Sequence, residues 1–185
     1  PLPNTLFTRD SSCWIYNGVA INPMHSPARR LESINVEVIY SDHPMFREVN
    51  FEHWYPQLGD DERLDASDFG LASLEGGDVL PIGNKTVLIG MSQRTTGRMI
   101  EQLAKNLFAA QAAERIIACV MTKDRAHMHL DTVFTMLDVD AVTVYPKVVN
   151  RIAAYSIRPG ESEGVFDVTE EPSFLEAVRD ALGVK

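Results

Sequence analysis

The sequence predicts an α/β fold assembled from repeated ββαβ modules in a propeller-like arrangement. Three observations lead there: three hairpin patterns, each opened by acidic residues; an amphipathic helix; and a buried-strand run directly after it. The first hairpin begins at Phe7-Thr8-Arg9-Asp10, runs through Cys13-Trp14-Ile15-Tyr16, turns at Asn17-Gly18 and returns as Val19-Ala20-Ile21. Asn-Gly between apolar runs is a strong hairpin signal because both residues tolerate positive φ. The second begins at Glu75-Gly76-Gly77-Asp78, continues as Val79-Leu80-Pro81-Ile82, turns at Gly83-Asn84-Lys85 and returns as Thr86 to Gly90. The third begins at His129-Leu130-Asp131, runs to Met136, turns through Leu137 to Asp140 and returns as Ala141 to Tyr145. Starts separated by about a blade's length imply a repeat architecture.

The helix is expected from about Thr96 to Glu114, where Met99, Ile100, Leu103, Leu107 and Phe108 recur at helical spacing. Ile116 to Met121 follows as the buried strand. In the first module a weaker helix is expected near Pro27 to Ser33, then a strand at Val36 to Tyr40. The acidic, turn-rich stretch from Glu52 to Ser67 reads as a surface loop. A last helix spans about Ser173 to Leu182. Ser173 and Glu176 have capping-box spacing, and Gly183 is placed for a left-handed C-terminal cap.

Composition narrows the function classes. The chain has 185 residues, 45% hydrophobic and 23% charged, as expected for one sizeable globular domain. A formal net charge of −9 disfavours nucleic acid and anionic membrane as partners. No apolar run approaches the roughly 20 residues that span a bilayer. Cys13 and Cys119 give no disulfide framework, so the expected compartment is a reducing cytoplasm. A start at Pro1 and a stop at Lys185, immediately after a helix, fit a segment of a longer protein or a trimmed chain equally well.

The most informative run is Met128-His129-Leu130-Asp131-Thr132-Val133-Phe134. Residues i and i+2 of a strand share a face, so His129 and Asp131 are expected to point together. A base poised near neutrality beside a fixed negative charge suits proton transfer on a cationic substrate. A surface strand with a chance salt-bridge partner accounts for the same spacing. Asp10 is a candidate site acid or a turn cap. Glu75, ahead of two glycines, marks either a close approach to a ligand or an ordinary turn. Arg94, in Ser92-Gln93-Arg94-Thr95, is either a bidentate carboxylate clamp or a solvated side chain. Arg29 and Arg30 carry the same two readings. Both cysteines read as core.

Pro3-Asn4-x-x-Phe7-Thr8-Arg9-Asp10, Glu75-Gly76-Gly77-Asp78, Ser92-Gln93-Arg94-Thr95 and Met128-His129-Leu130-Asp131-Thr132 occur in this order. In that combination the chain resembles the arginine deiminases, within the wider guanidine-modifying (pentein) superfamily, over essentially all 185 residues. The resemblance implies a five-bladed α/β propeller, here incomplete, with about three modules at residues 1–70, 71–122 and 123–185. It also implies that an N-terminal module, a helical insertion and a C-terminal module lie outside this chain. The implied activity is hydrolysis of L-arginine to L-citrulline and ammonia through a cysteine-bound amidino intermediate. Neither cofactor nor metal is implied, and the full-length protein is expected to be a homo-oligomer.

Residue by residue, Asp10 and Asp131 match the carboxylates that grip the substrate guanidinium. Glu75 matches the acid that orients it and supports the histidine, and His129 matches the general acid/base. Asn4, Arg29 and Arg94 match the groups that hold the substrate α-carboxylate, with Arg30 adjacent to Arg29 as the competing clamp. Gln93 departs from the family's usual Glu beside the clamping arginine. The family's nucleophilic cysteine lies in a Gly-rich loop near its C-terminus, and neither Cys13 nor Cys119 occupies such a loop. The chain is therefore expected to carry acid/base and binding groups without the attacking thiolate, and to be unstable or self-associating alone. An amidinotransferase or methylarginine hydrolase shares the same His and acids, and a non-catalytic arginine-binding fragment is the reading from a different class.

Overall fold

The computed structural model describes residues 6–57, 71–162 and 164–184 and shows a mixed α/β fold with three sheets. In chain order the elements begin with the helical turn α1 (Thr8–Ser11), the hairpin β1 (Ser12–Ile15) and β2 (Gly18–Ile21), and the helices α2 (Arg30–Asp42) and α3 (Pro44–Arg47). Then come β3 (Glu52–Tyr55), the hairpin β4 (Val79–Gly83) and β5 (Thr86–Met91), α4 (Gly97–Ala109) and β6 (Arg115–Val120). The rest is β7 (Phe134–Met136), β8 (Val142–Val144), α5 (Pro146–Val149), β9 (Ala153–Pro159), β10 (Phe166–Glu170) and α6 (Phe174–Leu182).

The first sheet has the order β1-β2-β3 and the second β10-β9-β6-β5-β4, while β7 and β8 pair alone. In both larger sheets an antiparallel hairpin is followed by a helix and a strand parallel to the hairpin's second strand. That is the ββαβ order. Strands β9 and β10 then extend the second sheet, with β9 antiparallel to β6.

Helix α4 forms where its stripe predicts. The Thr96 side chain caps it by accepting from Met99 N, and Met99, Ile100, Leu103, Ala104 and Leu107 are buried. These residues pack on Val87, Ile89 and Ile116 and on Ile15 and Trp54 of the first sheet, forming one core. The opposite face of the second sheet, with Leu88, Ile117 and Cys119, meets Phe134 and the α6 residues Phe174 and Val178. Coverage on both faces explains why β5 and β6 read as continuous apolar runs. Helix α6 is capped by Ser173, which accepts from Glu176 N, and ends at Gly183 with φ 67°.

Three sequence expectations are corrected. Val36 to Tyr40 is not a strand but the middle of α2, and the short helix expected at Pro27 to Ser33 is a 3-10 turn (Pro27–Arg29) leading into that helix. Helix α2 is inverted: Glu32, Ser33 and Glu37 are buried, whereas Leu31, Val38 and Ile39 are exposed. The alternation Val36-Val38-Tyr40 therefore mimics a strand. Second, Glu52 to Tyr55 is strand β3 rather than loop; Trp54 is buried and donates from Nε1 to Ile15 O at 2.9 Å. Residues 58–67 of that expected loop lie outside the described residues. Third, the first hairpin turns at Tyr16-Asn17, with Tyr16 at φ 53°. Gly18 lies in β2, where an added Cβ would stand 2.6 Å from Glu52 O and from the Trp54 ring.

Arg115 ties the C-terminal elements to the second sheet. Its guanidinium is buried and donates to Ser156 Oγ at 2.7 Å, Asp180 Oδ2 at 2.6 Å and Glu171 Oε1 at 2.9 Å. Arg115→Met is expected to lower stability by about 2–3 kcal/mol. This sits below the roughly 3–5 kcal/mol of a fully buried pair, because Asp180 is exposed. Urea denaturation measures it, and a change under about 0.5 kcal/mol would remove Arg115 from this role.

Candidate active site

Each hairpin is entered through one short helical turn, and these turns bring the polar residues together. Asp10 lies in α1, directly ahead of β1. Glu75 is extended (φ −125°, ψ 138°) and starts the 3-10 turn Gly76–Asp78 that leads into β4. His129 is extended in the same way (φ −133°, ψ 155°) and starts the turn Leu130–Thr132 ahead of β7. His129 and Asp131 therefore do not share one face of a strand as the spacing suggested. Asp131 lies inside the turn, so the 3-10 geometry sets their separation.

The turns stack because glycines leave room for the Arg9 carbonyl and the His129 ring. A Cβ on Gly76 would clash with Arg9 O, and one on Gly77 would lie 2.7 Å from His129 Nδ1 and 2.8 Å from its Cγ. The two glycines of Glu75-Gly76-Gly77-Asp78 are thus required by close approach, with no need of positive φ. Gly77→Ala is expected to displace the imidazole and cost about 1–3 kcal/mol of stability, as overpacking does. A crystal structure of the variant with an unmoved His129 ring would contradict this account.

The geometry is dense. His129 Nε2 lies 2.8 Å from Glu75 Oε2, and His129 Nδ1 lies 3.8 Å from Asp10 Oδ1. Glu75 is fully buried, and its two oxygens face different cations: Arg94 NH1 is 3.6 Å from Oε1 and Arg29 NH1 is 3.9 Å from Oε2. Arg29 donates from NH1 to Asp10 Oδ2 at 2.9 Å and forms a bidentate pair with buried Glu32, at 2.9 and 2.8 Å. Asp131 is partly exposed, with Oδ2 3.5 Å from Arg9 Nε.

Electrostatics sort these groups. Burial alone would lower the pKa of His129, but the hydrogen bond to Glu75 and the charges of Asp78 and Asp10 outweigh it, so the net shift is upward. Burial pulls Glu75 upward, while His129, Arg94 and Arg29 together bring it below its ordinary value. Asp131 is raised, chiefly by burial, with His129 and Arg9 opposing. Both shifts favour the charged form of the His129–Glu75 pair, imidazolium against carboxylate. Burial pushes the Cys13 thiol up to about 12 and raises Cys119 as well, and both side chains are buried, so neither supplies a thiolate.

Of the residues singled out from the sequence, Asp10, Glu75, Arg29, Arg94 and His129 meet in one cluster, and Asp131 lies close enough for the charges of His129 and Asp10 to act on it. Between the two neighbouring arginines, it is Arg29 whose guanidinium reaches Asp10. Gln93 is exposed. Asn4 lies outside the described residues. Ligand atoms of Asp10, Glu75 and His129 come within 4.8 Å of one another, a spacing that a metal ion would accept. Two guanidinium groups already compensate the same carboxylates, which works against a further cation.

Two residues went unassigned in the sequence. Glu32 fixes Arg29, and an i,i+3 Arg–Glu spacing was its only signal. Asp78 is fully buried beside the cluster and was visible only as the last letter of Glu75-Gly76-Gly77-Asp78.

Comparison with known proteins adds the following. The model of the arginine deiminase family matches residues 1–185. The fold is similar to dimethylarginine dimethylaminohydrolase from Pseudomonas aeruginosa complexed with citrulline (16% identity, TM-score 0.53, 96% of this chain and 65% of that one). It is also similar to the N-terminal domain of ArgZ, an arginine dihydrolase of the cyanobacterial ornithine-ammonia cycle, bound to product (19% identity, TM-score 0.53, 77% and 44%). A dimethylarginine dimethylaminohydrolase adduct with S-methyl-L-thiocitrulline shows the same likeness (18% identity, TM-score 0.52, 76% and 46%). At these identities the likeness carries the fold. The chain spans from 44% to 65% of the length of these three structures.

Proposed function

The chain belongs to the arginine deiminase family, and on that premise we propose that it supplies the acid/base and substrate-holding groups for hydrolysis of L-arginine to L-citrulline and ammonia. The observation that carries this reading is the buried contact of His129 with Glu75 at 2.8 Å, beside the Asp10 carboxylate. A guanidinium is delocalised and permanently charged, hence a poor electrophile. Paired carboxylates, Asp10 and Asp131, would hold it by charge-assisted hydrogen bonds and fix its carbon for attack. Glu75 orients it from the side of His129. The raised pKa of His129 keeps an imidazolium available to protonate the leaving ammonia. As a neutral base the same ring then activates water against the covalent amidino intermediate. Arg94 and Arg29, with Asn4, take the α-carboxylate.

The attacking thiolate comes, in this reading, from a cysteine of the longer protein beyond this chain, since Cys13 and Cys119 are buried and protonated. The same reading takes residues 1–70, 71–122 and 123–185 as three modules of a five-bladed ring; the two ββαβ units support the first two. No helix among the described residues is long and apolar enough to cross a membrane.

Ammonia and citrulline release from arginine by the intact gene product tests the proposal. Stoichiometric citrulline is the expected result. Transfer of the amidino group to an added amine would indicate an amidinotransferase, and turnover of methylated arginine alone a methylarginine hydrolase. Arginine binding without turnover would leave a binding role only.

A further inference from the structure

Asp78 is a fully buried carboxylate for which the mechanism above has no use. An unpaired charge in such a place is costly, so its partners define its role. Oδ1 accepts from Leu130 N at 2.9 Å, within the turn that carries His129 and Asp131. Oδ2 accepts from Ser92 Oγ at 2.7 Å and from Thr95 Oγ1 at 2.6 Å, on either side of Arg94. Both hydroxyls also accept from backbone: Ser92 Oγ from Arg94 N at 3.0 Å and Thr95 Oγ1 from Glu75 N at 3.3 Å. One carboxylate therefore gathers the backbone of Glu75, Arg94 and Leu130 around itself. The neighbouring strand makes room for it: a Cβ on Gly90 would clash with Asp78 Oδ1 and lie 3.0 Å from Leu130 Cβ.

We propose that Asp78 is a positioning residue that fixes the turn presenting His129 in register with the loop presenting Arg94, so that the acid/base group and the α-carboxylate clamp are set by one side chain. The proposal rests on the arginine reading for what those two groups do. The chemistry requires a carboxylate. Each hydroxyl receives an N–H and must donate its own proton, and only an acceptor with no hydrogens can take both protons and the Leu130 N–H together. An asparagine would put an NH2 group against one of these donors.

The test is Asp78→Asn in the intact gene product, with two readouts that do not depend on the amount of folded enzyme. The first is the ratio of kcat/KM for arginine to that for agmatine, which lacks the α-carboxylate. The second is the NMR titration of the His129 imidazole, which needs no turnover. Asp78→Asn is expected to lower the ratio by about tenfold, the size of one lost hydrogen bond to a charged group, and to move the His129 titration downward. Ser92→Ala is expected to lower the ratio and leave the titration in place, because the Leu130 contact survives. An Asp78→Asn enzyme that loses only kcat, with ratio and titration both unchanged, overturns the proposal. Should Asp78→Asn fail to fold, an unchanged ratio in both Ser92→Ala and Thr95→Ala overturns it. Wild-type protein that turns over neither compound refutes the arginine reading instead, and a crystal structure of Asp78→Asn then decides the role of Asp78: the Leu130 turn is expected to shift against the Ser92–Thr95 loop, and an unmoved pair overturns the proposal.

Discussion

Replacing His129 with alanine in the intact gene product is expected to abolish citrulline formation, a loss on the order of 10³-fold within the range for a positioned general acid/base. The expectation follows from placement. His129 is buried, rests on Glu75 at 2.8 Å, and among the described residues is the one imidazole of the cluster built by Asp10, Glu75, Arg29 and Arg94. Of the groups in contact with it among the described residues, Glu75 is held below its ordinary pKa and the arginines do not release protons. Arginine binding is expected to persist, since the carboxylates remain. The variant also has a stability signature. The pKa of His129 is raised above 6.5 in the folded protein, so its contribution is fully present below about pH 6.5 and is lost as pH rises through the folded value. His129→Ala should remove that part of the pH dependence. Citrulline production within a few-fold of wild type would refute the acid/base role.

Glu75→Gln is expected to have the next largest effect. The substitution keeps the shape and removes a fully buried charge that faces His129, Arg94 and Arg29 at once. Without it two guanidinium groups lose part of their compensation, and the hydrogen bond that chiefly raises the His129 pKa becomes a neutral one. Turnover should fall by about 10²–10³-fold, and the His129 titration should move down. Both are measured on the same protein, by citrulline assay and by NMR. A titration that stays in place with activity within about twofold of wild type would show that Glu75 does not support the histidine.

Local chemistry made much of the fold legible. Helix α4 and helix α6 follow from apolar periodicity and from the caps Thr96 and Ser173, and the turn at Asn84-Lys85 has both residues at positive φ, 47° and 52°. Distant contacts hid the rest. Helix α2 turns Glu32 and Ser33 inward because Arg29 and the Asn22 carbonyl need partners, so its apolar residues face out and its pattern misleads. Gly18 looked like a turn residue, but the approach of β3 is what demands it. Within the site, the convergence of Asp10, Glu75 and His129 could not be read from spacing, because it depends on three turns stacked through Gly76 and Gly77. Glu32 carries no motif of its own, and Asp78, though it closes Glu75-Gly76-Gly77-Asp78, acts through Ser92, Thr95 and Leu130, which spacing does not connect to it.

The most direct test of the whole account is a crystal structure of the intact gene product with arginine bound and its nucleophilic cysteine replaced. The account predicts the substrate guanidinium within hydrogen-bond distance of Asp10 and Asp131, with His129 on Glu75 at its edge and the α-carboxylate toward Arg94. A guanidinium bound elsewhere, with Asp10, Glu75 and His129 still engaged only with the chain's own arginines, would contradict it.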